Sequence, residues 1–181
     1  MGRSADGFTL VELVMVFAVL GIAAAVAVPS LRSTDPVILE VAAQEVANAL
    51  RFGRSEAMRT GEVRAVAVRL TGRIRVFKPD LSSGSIVDLE TLTHPVDKKP
   101  YDFFLSDVVT AKGIEITNSK DVFKFKDLPL ERPRVLFDEH GLAFILVDGT
   151  RHYLKNSGVR IGYGGSERKV SLSTIGRVTV E

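Results

Sequence analysis

No cysteine occurs among the 181 residues, so disulfides and thiolate metal sites are excluded and thiols say nothing of the redox compartment. Histidine is scarce: His94, His140 and His152 stand far apart with no HExxH or other ligand spacing, which leaves zinc hydrolysis without a site. There is no internal repeat and no low-complexity tract, and the alternation of strand and helix that builds a parallel sheet is missing. The stretch "DLSSGSIVDLE" offers Asp80, Ser82, Asp88 and Glu90 as oxygens. Its glycine and last acid fall at the wrong offsets for a calcium loop, so it reads as a solvated turn. No cofactor is implied, and the length allows one ordinary domain plus an appendage.

Charge is missing from one stretch altogether. Leu13 to Val28 holds no charged and no hydrogen-bonding side chain, and with Phe8 to Val11 it approaches the ~20 residues that span a hydrocarbon core. Glu12 interrupts that run. An acid at the centre of a bilayer costs roughly 2.5–3.5 kcal/mol even on a lenient scale, so such a group is paired and functional as a rule. Elsewhere the net charge of +2 hides a change of sign: eight basic residues from Arg51 to Lys78 face two acids, while Pro79 to Glu131 carries ten acids against six lysines. A basic belt of this kind meets lipid, nucleic acid or an acidic neighbour, or is a solvated surface with pairs between subunits.

Three readings compete for residues 1–31. Ala25-Val26-Ala27 would serve as the cleavage site of an ordinary secretory signal, and a plain signal anchor is the second. Neither has a use for Glu12. The third starts from the short polar leader ending in Gly7, followed by Phe8, Thr9, Leu10 and Glu12 and then the apolar run. This arrangement resembles the type III signal of the type IV pilin and pseudopilin families. The resemblance implies a cut between Gly7 and Phe8 by prepilin peptidase, methylation of the new Phe8 amine, and an assembly role for Glu12. Asp6 departs from the basic residue that such leaders tend to carry there. With the cut made, the amine of Phe8 lies four residues before Glu12, one helical turn away. Two expensive charges then become one desolvated pair, within a subunit or between stacked subunits, and such a pair acts as an assembly register.

Helical periodicity continues past the apolar run. Val37, Leu39, Ala42, Ala43, Val46, Leu50, Gly53 and Ala57 form one apolar stripe from Val37 to Arg59, the face expected to pack on a sheet. Pro29 should kink or loosen the segment between the two halves, and Asp35-Pro36 reads as an N-cap followed by proline at the first helical position. After Gly61 the period changes to two. Strands are expected at Val63–Leu70 and Arg73–Phe77 around Thr71-Gly72, at Ile114–Thr117 and Val122–Phe125, and at Arg134–Phe137, Leu142–Val147 and Thr150–Leu154 around "DEHG" and "DG". Val159–Gly162, Val170–Ser173 and Arg177–Val180 form a last set, while "KPDLSSGS" and "THPVDKKPYD" mark loops. Helix first and strands afterwards is an α+β order.

"VANALRFGRSEAMRTGEV", "VLFDEHG" and "STIGRVTV" are similar to the GspH/FimT branch of minor pseudopilins, with Arg54, Glu56, Ala57, Gly61, Phe137, Gly141, Gly176 and Arg177 at the matching places. The structural roles of these residues are turns for Gly61, Gly141 and Gly176, core filling for Phe137, and close approach to a sheet for Ala57. The resemblance implies a type IV pilin-like fold, a long amino-terminal helix packed on antiparallel sheets. Its parts would be a leader at 1–7, a transmembrane and filament-core helix at 8–31, and a periplasmic domain at 32–181 with a helix at 37–60. It implies a single-pass inner-membrane subunit, not an enzyme, built into the tip of a type II secretion or type IV pilus filament beside other pilins. Glu12 argues against the tip pseudopilin that lacks this acid, and the absence of cysteine against a disulfide-looped major pilin. FimT relatives that bind DNA close on GRxR; here Gly176-Arg177-Val178-Thr179 lacks the second arginine. DNA contact through Arg51, Arg54 and Arg177 is therefore the first alternative, and a secreted binding domain behind an ordinary signal the second.

Overall fold

The computed structural model describes residues 9–30, 34–109, 115–117, 134–155 and 157–181, side chains at 24–30, 34–35 and 115–117 excepted. The chain divides into two compact units, one ending at Asp35 and the other running from Pro36 to Glu181.

In the first unit, helix α1 spans Leu10–Ser30. Its described side chains, Leu10 to Ala23, are all exposed, although apart from Glu12 the helix is apolar on every side, the pattern of a helix that elsewhere is buried. Pro29 is the last residue but one of α1. A kink or loosening was expected between the two halves around Pro29; α1 runs through Pro29 to Ser30, and residues 31–33 lie outside the described ones.

Helix α2 spans Thr34–Thr60, beginning three residues before the expected Val37. Pro36 is tolerated there because the N–H groups of a first turn have no helical acceptor. Leu39, Ala42, Ala43, Val46, Leu50 and Ala57 are at most 2% exposed. Val37 departs from the expected stripe: it is 61% exposed. It stands one turn before the exposed Val41 on the outward face, about 200° round the helix from Leu39. Close approach of helix to sheet is set by Gly53, where a Cβ would lie 2.6 Å from Val66 Cγ2 and 3.7 Å from Phe137 Cδ2. Gly61 ends α2 with φ +66°, its N–H donating to Ala57 O at 2.9 Å, a left-handed cap that a side chain would strain.

The strands are β1 Arg64–Val68, β2 Arg73–Asp80, β3 Val87–Thr91, β4 Asp102–Phe104, β5 Glu115–Thr117, β6 Arg134–Phe137, β7 Ala143–Val147, β8 Thr150–Tyr153, β9 Ser157–Tyr163, β10 Ser166–Leu172 and β11 Val178–Val180, with a helical turn α3 at Leu105–Val108. One sheet runs β3-β2-β1-β6-β7-β8 with β4 also on β2; the other runs β11-β10-β9-β5. Every pairing among these named strands is antiparallel.

Strand β1 shows how the core is divided. Its "RAVAV" is buried throughout, with Val66 and Val68 in the large core beneath α2. Ala65 and Ala67 face the other way, into a smaller core with Phe77, Leu136 and Phe144 that Leu81 and Ile86 help to cover. Expected strands at Val63–Leu70, Arg73–Phe77, Ile114–Thr117 and throughout the carboxyl third are present within a few residues. The expected strand at Val122–Phe125 lies outside the described residues.

Two strands, β3 and β4, were not expected: β3 overlaps the stretch read as a solvated turn, and β4 begins at the last residue of "THPVDKKPYD". Strand β4 does not alternate apolar with polar, and β3 alternates with its apolar Val87 and Leu89 exposed; both are held by backbone pairing and by charge. Arg73 grips Asp102 through two bonds of 2.7 and 2.6 Å, and Asp88 of β3 takes Arg75 at 2.8 Å and Arg134 at 3.3 Å. Tyr101, in the expected loop "THPVDKKPYD", is only 4% exposed and stacks on Phe52 of α2 at 5.0 Å. Burial there, with Glu45 nearby, pushes its phenol up to about 12.

Candidate functional site

Gly7 and Phe8, where cleavage and methylation are expected, lie outside the described residues. The geometry begins at Thr9. Glu12 N–H donates to Thr9 Oγ1 at 3.3 Å and to Thr9 O at 3.1 Å, so Thr9 is the N-cap and Glu12 the third residue of α1. A helix N-terminus carries partial positive charge, and an acid in its first turn is stabilised there. The sequence holds the signal for this in Thr9-Leu10-Val11-Glu12, a threonine followed three residues later by glutamate, which the reading of the leader passed over. Around Glu12 the surface is hydrocarbon: Leu10 is 80% exposed, Met15 66%, Phe17 65% and Ile22 68%. Among the described residues no helix is long and apolar enough to cross a membrane.

The three motifs of the globular domain converge. Arg54 of α2 donates from Nε to Gly141 O at 3.1 Å. A Cβ on Gly141 would meet Met58 Sδ at 2.7 Å and Arg54 Nε at 2.9 Å. Gly176, with φ +74°, packs its bare Cα against Gly141 O and the Arg54 side chain. Asp138, 2% exposed, closes the turn between β6 and β7: its Oδ1 accepts from His140 N–H at 3.0 Å and Leu142 N–H at 2.8 Å, and its Oδ2 from the Tyr153 hydroxyl at 3.3 Å. Residues scattered over the sequence thus form one junction between helix and two turns. Asp138 was not singled out in the sequence, although an aspartate ahead of His-Gly is a turn-forming signal.

The expected contact arginines differ in what they leave available. Arg51 donates to Asn48 Oδ1 at 3.3 Å and to Val178 O at 3.4 Å, and Arg54 is held by Gly141 O. Arg177 is exposed; its backbone N–H meets Ser173 Oγ at 3.0 Å, while its guanidinium meets no partner among the described residues. Much of the rest of the belt is compensated. Arg59 pairs with Glu56 at 2.7 Å, and Arg64 and Lys78 share Glu62 at 2.8 and 2.9 Å. Hydrogen bonds from Arg59, Lys78 and Arg73 hold Glu56, Glu62 and Asp102 respectively below the ordinary carboxylate range. Among the described residues no group of three or more histidines and acids is placed to hold a metal.

Residues 2–28 match the model of the prokaryotic N-terminal methylation motif. No curated protein matches the chain in sequence. Among solved structures the chain is similar to the minor pseudopilin EpsH from the type 2 secretion system of Vibrio cholerae, at 13% identity and a TM-score of 0.50 over 79% of this chain and 95% of that one. The type IV minor pilin FimU of Pseudomonas aeruginosa PAO1 follows at 16% identity and 0.46, over 79% of this chain and 87% of that one. At such identity the likeness to EpsH speaks for the fold. With a methylation motif at its amino end, the chain has a type IV pilin-like fold, that of the minor pseudopilin EpsH.

Proposed function

We propose that this protein is a minor pilin-like subunit of a type II secretion system or type IV pilus, made as a precursor in the bacterial inner membrane. Prepilin peptidase cuts after Gly7 and methylates the amine of Phe8. Residues 8–31 then hold the subunit in the bilayer in a single pass, with residues 32–181 in the periplasm, until it joins other pilins near the filament tip. It is the substrate of an enzyme and performs no catalysis of its own.

The observation that carries this reading is Glu12. It is the one charge on α1, it follows the expected new amine by four residues, and the exposed side chains on either side of it are hydrocarbon. In lipid that carboxylate is costly alone and tolerable beside an ammonium. Stacked subunits offer the same partner in trans, so the pair sets the step between neighbours.

Intact mass of the protein extracted from membranes tests the proposal. The expected mass is that of a chain starting at Phe8 and carrying one added methyl group. A chain starting after Ala27 would mean an ordinary secretory signal and a secreted domain, and would overturn the reading.

A further inference from the structure

We propose that the outer face of the β10–β11 hairpin receives an acidic segment of a partner protein, with Arg177 and Ser171 as its principal contacts. Strand β10 alternates, Val170 and Leu172 being fully buried, so Lys169 and Ser171 stand on the opposite face. There Ser171 pairs with Thr179, and Lys169 pairs with Glu181 through two reciprocal backbone hydrogen bonds of 3.0 and 2.8 Å. A hollow of about 370 Å³ opens on this face, lined by Lys169, Ser171, Ser173, Arg177, Thr179 and Glu181. Gly158 of β9 lies across from Ser171, and a Cβ on it would collide with Val170 O; no side chain fills the floor from that side.

Two groups in the hollow lack what they need. Ser171 Oγ is shielded from solvent and has no hydrogen-bond partner, a cost that a ligand atom would remove. The Arg177 guanidinium is exposed and unpaired among the described residues. A carboxylate suits both, since a guanidinium offers it two parallel N–H bonds and a hydroxyl donates beside them.

Charge on this face decides between a protein and a nucleic acid. Lys169 lies 3.9 Å from Glu181 and Arg160 3.5 Å from Glu167, while Arg168, on the opposite face of β10, lies 3.4 Å from Glu40. One uncompensated cation fits one carboxylate, whereas a phosphate polymer is held by several cations at once. Ile175, at the tip of the neighbouring turn, is 64% exposed and gives the same partner an apolar contact, as protein interfaces use beside an arginine. This inference does not depend on filament assembly.

The test is a titration of the full chain in detergent with a fluorescent, end-blocked Gly-Asp-Glu-Asp-Gly peptide, read by anisotropy. Saturable binding is expected. It should be displaced by unlabelled peptide and not by the Asn-Gln-Asn counterpart, weakened at least about tenfold by Arg177→Gln, as loss of a bidentate charged contact implies, and weakened less by Ser171→Ala. Arg160→Gln, whose guanidinium pairs with Glu167, should bind as the parent does, and unchanged far-ultraviolet dichroism of each variant excludes misfolding. No saturation with the parent chain, equal displacement by the neutral peptide, or displacement by a short DNA duplex with steep salt dependence would each overturn the proposal.

Discussion

Along α1 the single acid, Glu12, has no cation beside it among the described residues, and every described neighbour is an exposed hydrocarbon or Thr9. In the domain from Pro36 onward, Asp102, Asp88, Glu56 and Glu62 each meet a cation at 2.6–2.8 Å, and the apolar side chains are packed beneath α2 and on the far side of β1. The domain meets these four acids and packs its core from its own chain. The described part of α1 does neither, and the proposed function supplies what it lacks: lipid or neighbouring helices for the hydrocarbon, a newly made amine for the acid.

If the domain is self-sufficient, changes inside it should damage folding and leave membrane retention alone. The largest effect is expected at Gly53→Leu, because a first carbon there already lies 2.6 Å from Val66; overpacking should cost about 3 kcal/mol, read as a lowered thermal midpoint of the full chain in detergent. Next comes Asp138→Ala, which strips the acceptor from two backbone N–H groups and the Tyr153 hydroxyl. About 2 kcal/mol is the expected loss for a buried charged acceptor, and an unchanged midpoint would show that the turn is held by other means.

The smallest effect belongs to the paired carboxylates, which are partly open to solvent. Arg73 holds the folded-state pKa of Asp102 below its ordinary 3.8. The stability this contributes is complete above that ordinary value and is lost as pH falls through the folded value. Asp102→Asn should therefore lower stability slightly at neutral pH and narrow the gap to the parent in acid. A gap that widens in acid would contradict the assignment.

Different parts of the molecule were legible in the sequence to different degrees, for physical reasons. The amino end was readable because its chemistry depends on spacing: Gly7, Phe8 and Glu12 stand at fixed intervals before an uncharged run. Most strands were readable because burial on one face imposes alternation and their turns need glycine. Strand β4 was not, since the Arg73–Asp102 pair holds it across a distance a linear reading does not measure; β3 alternates in Val87-Asp88-Leu89-Glu90 but lies in a stretch read as a solvated turn. Val37 looked like core and is exposed, because hydrophobicity alone does not say which side of a helix faces the sheet. The junction residues Arg54, Gly141 and Gly176 were picked out by resemblance, but their mutual contact was not, and Thr9 and Asp138, though each carries a local signal, take their roles from backbone N–H groups that only the fold positions.

The central claim is that Glu12 is kept for its pairing with the amine of Phe8. Its most direct test is Glu12→Ala in cells, measuring the share of mature, methylated subunit that enters the sheared filament fraction. The account predicts normal cleavage and membrane retention with little or no subunit in filaments. Incorporation at the parental level would contradict it.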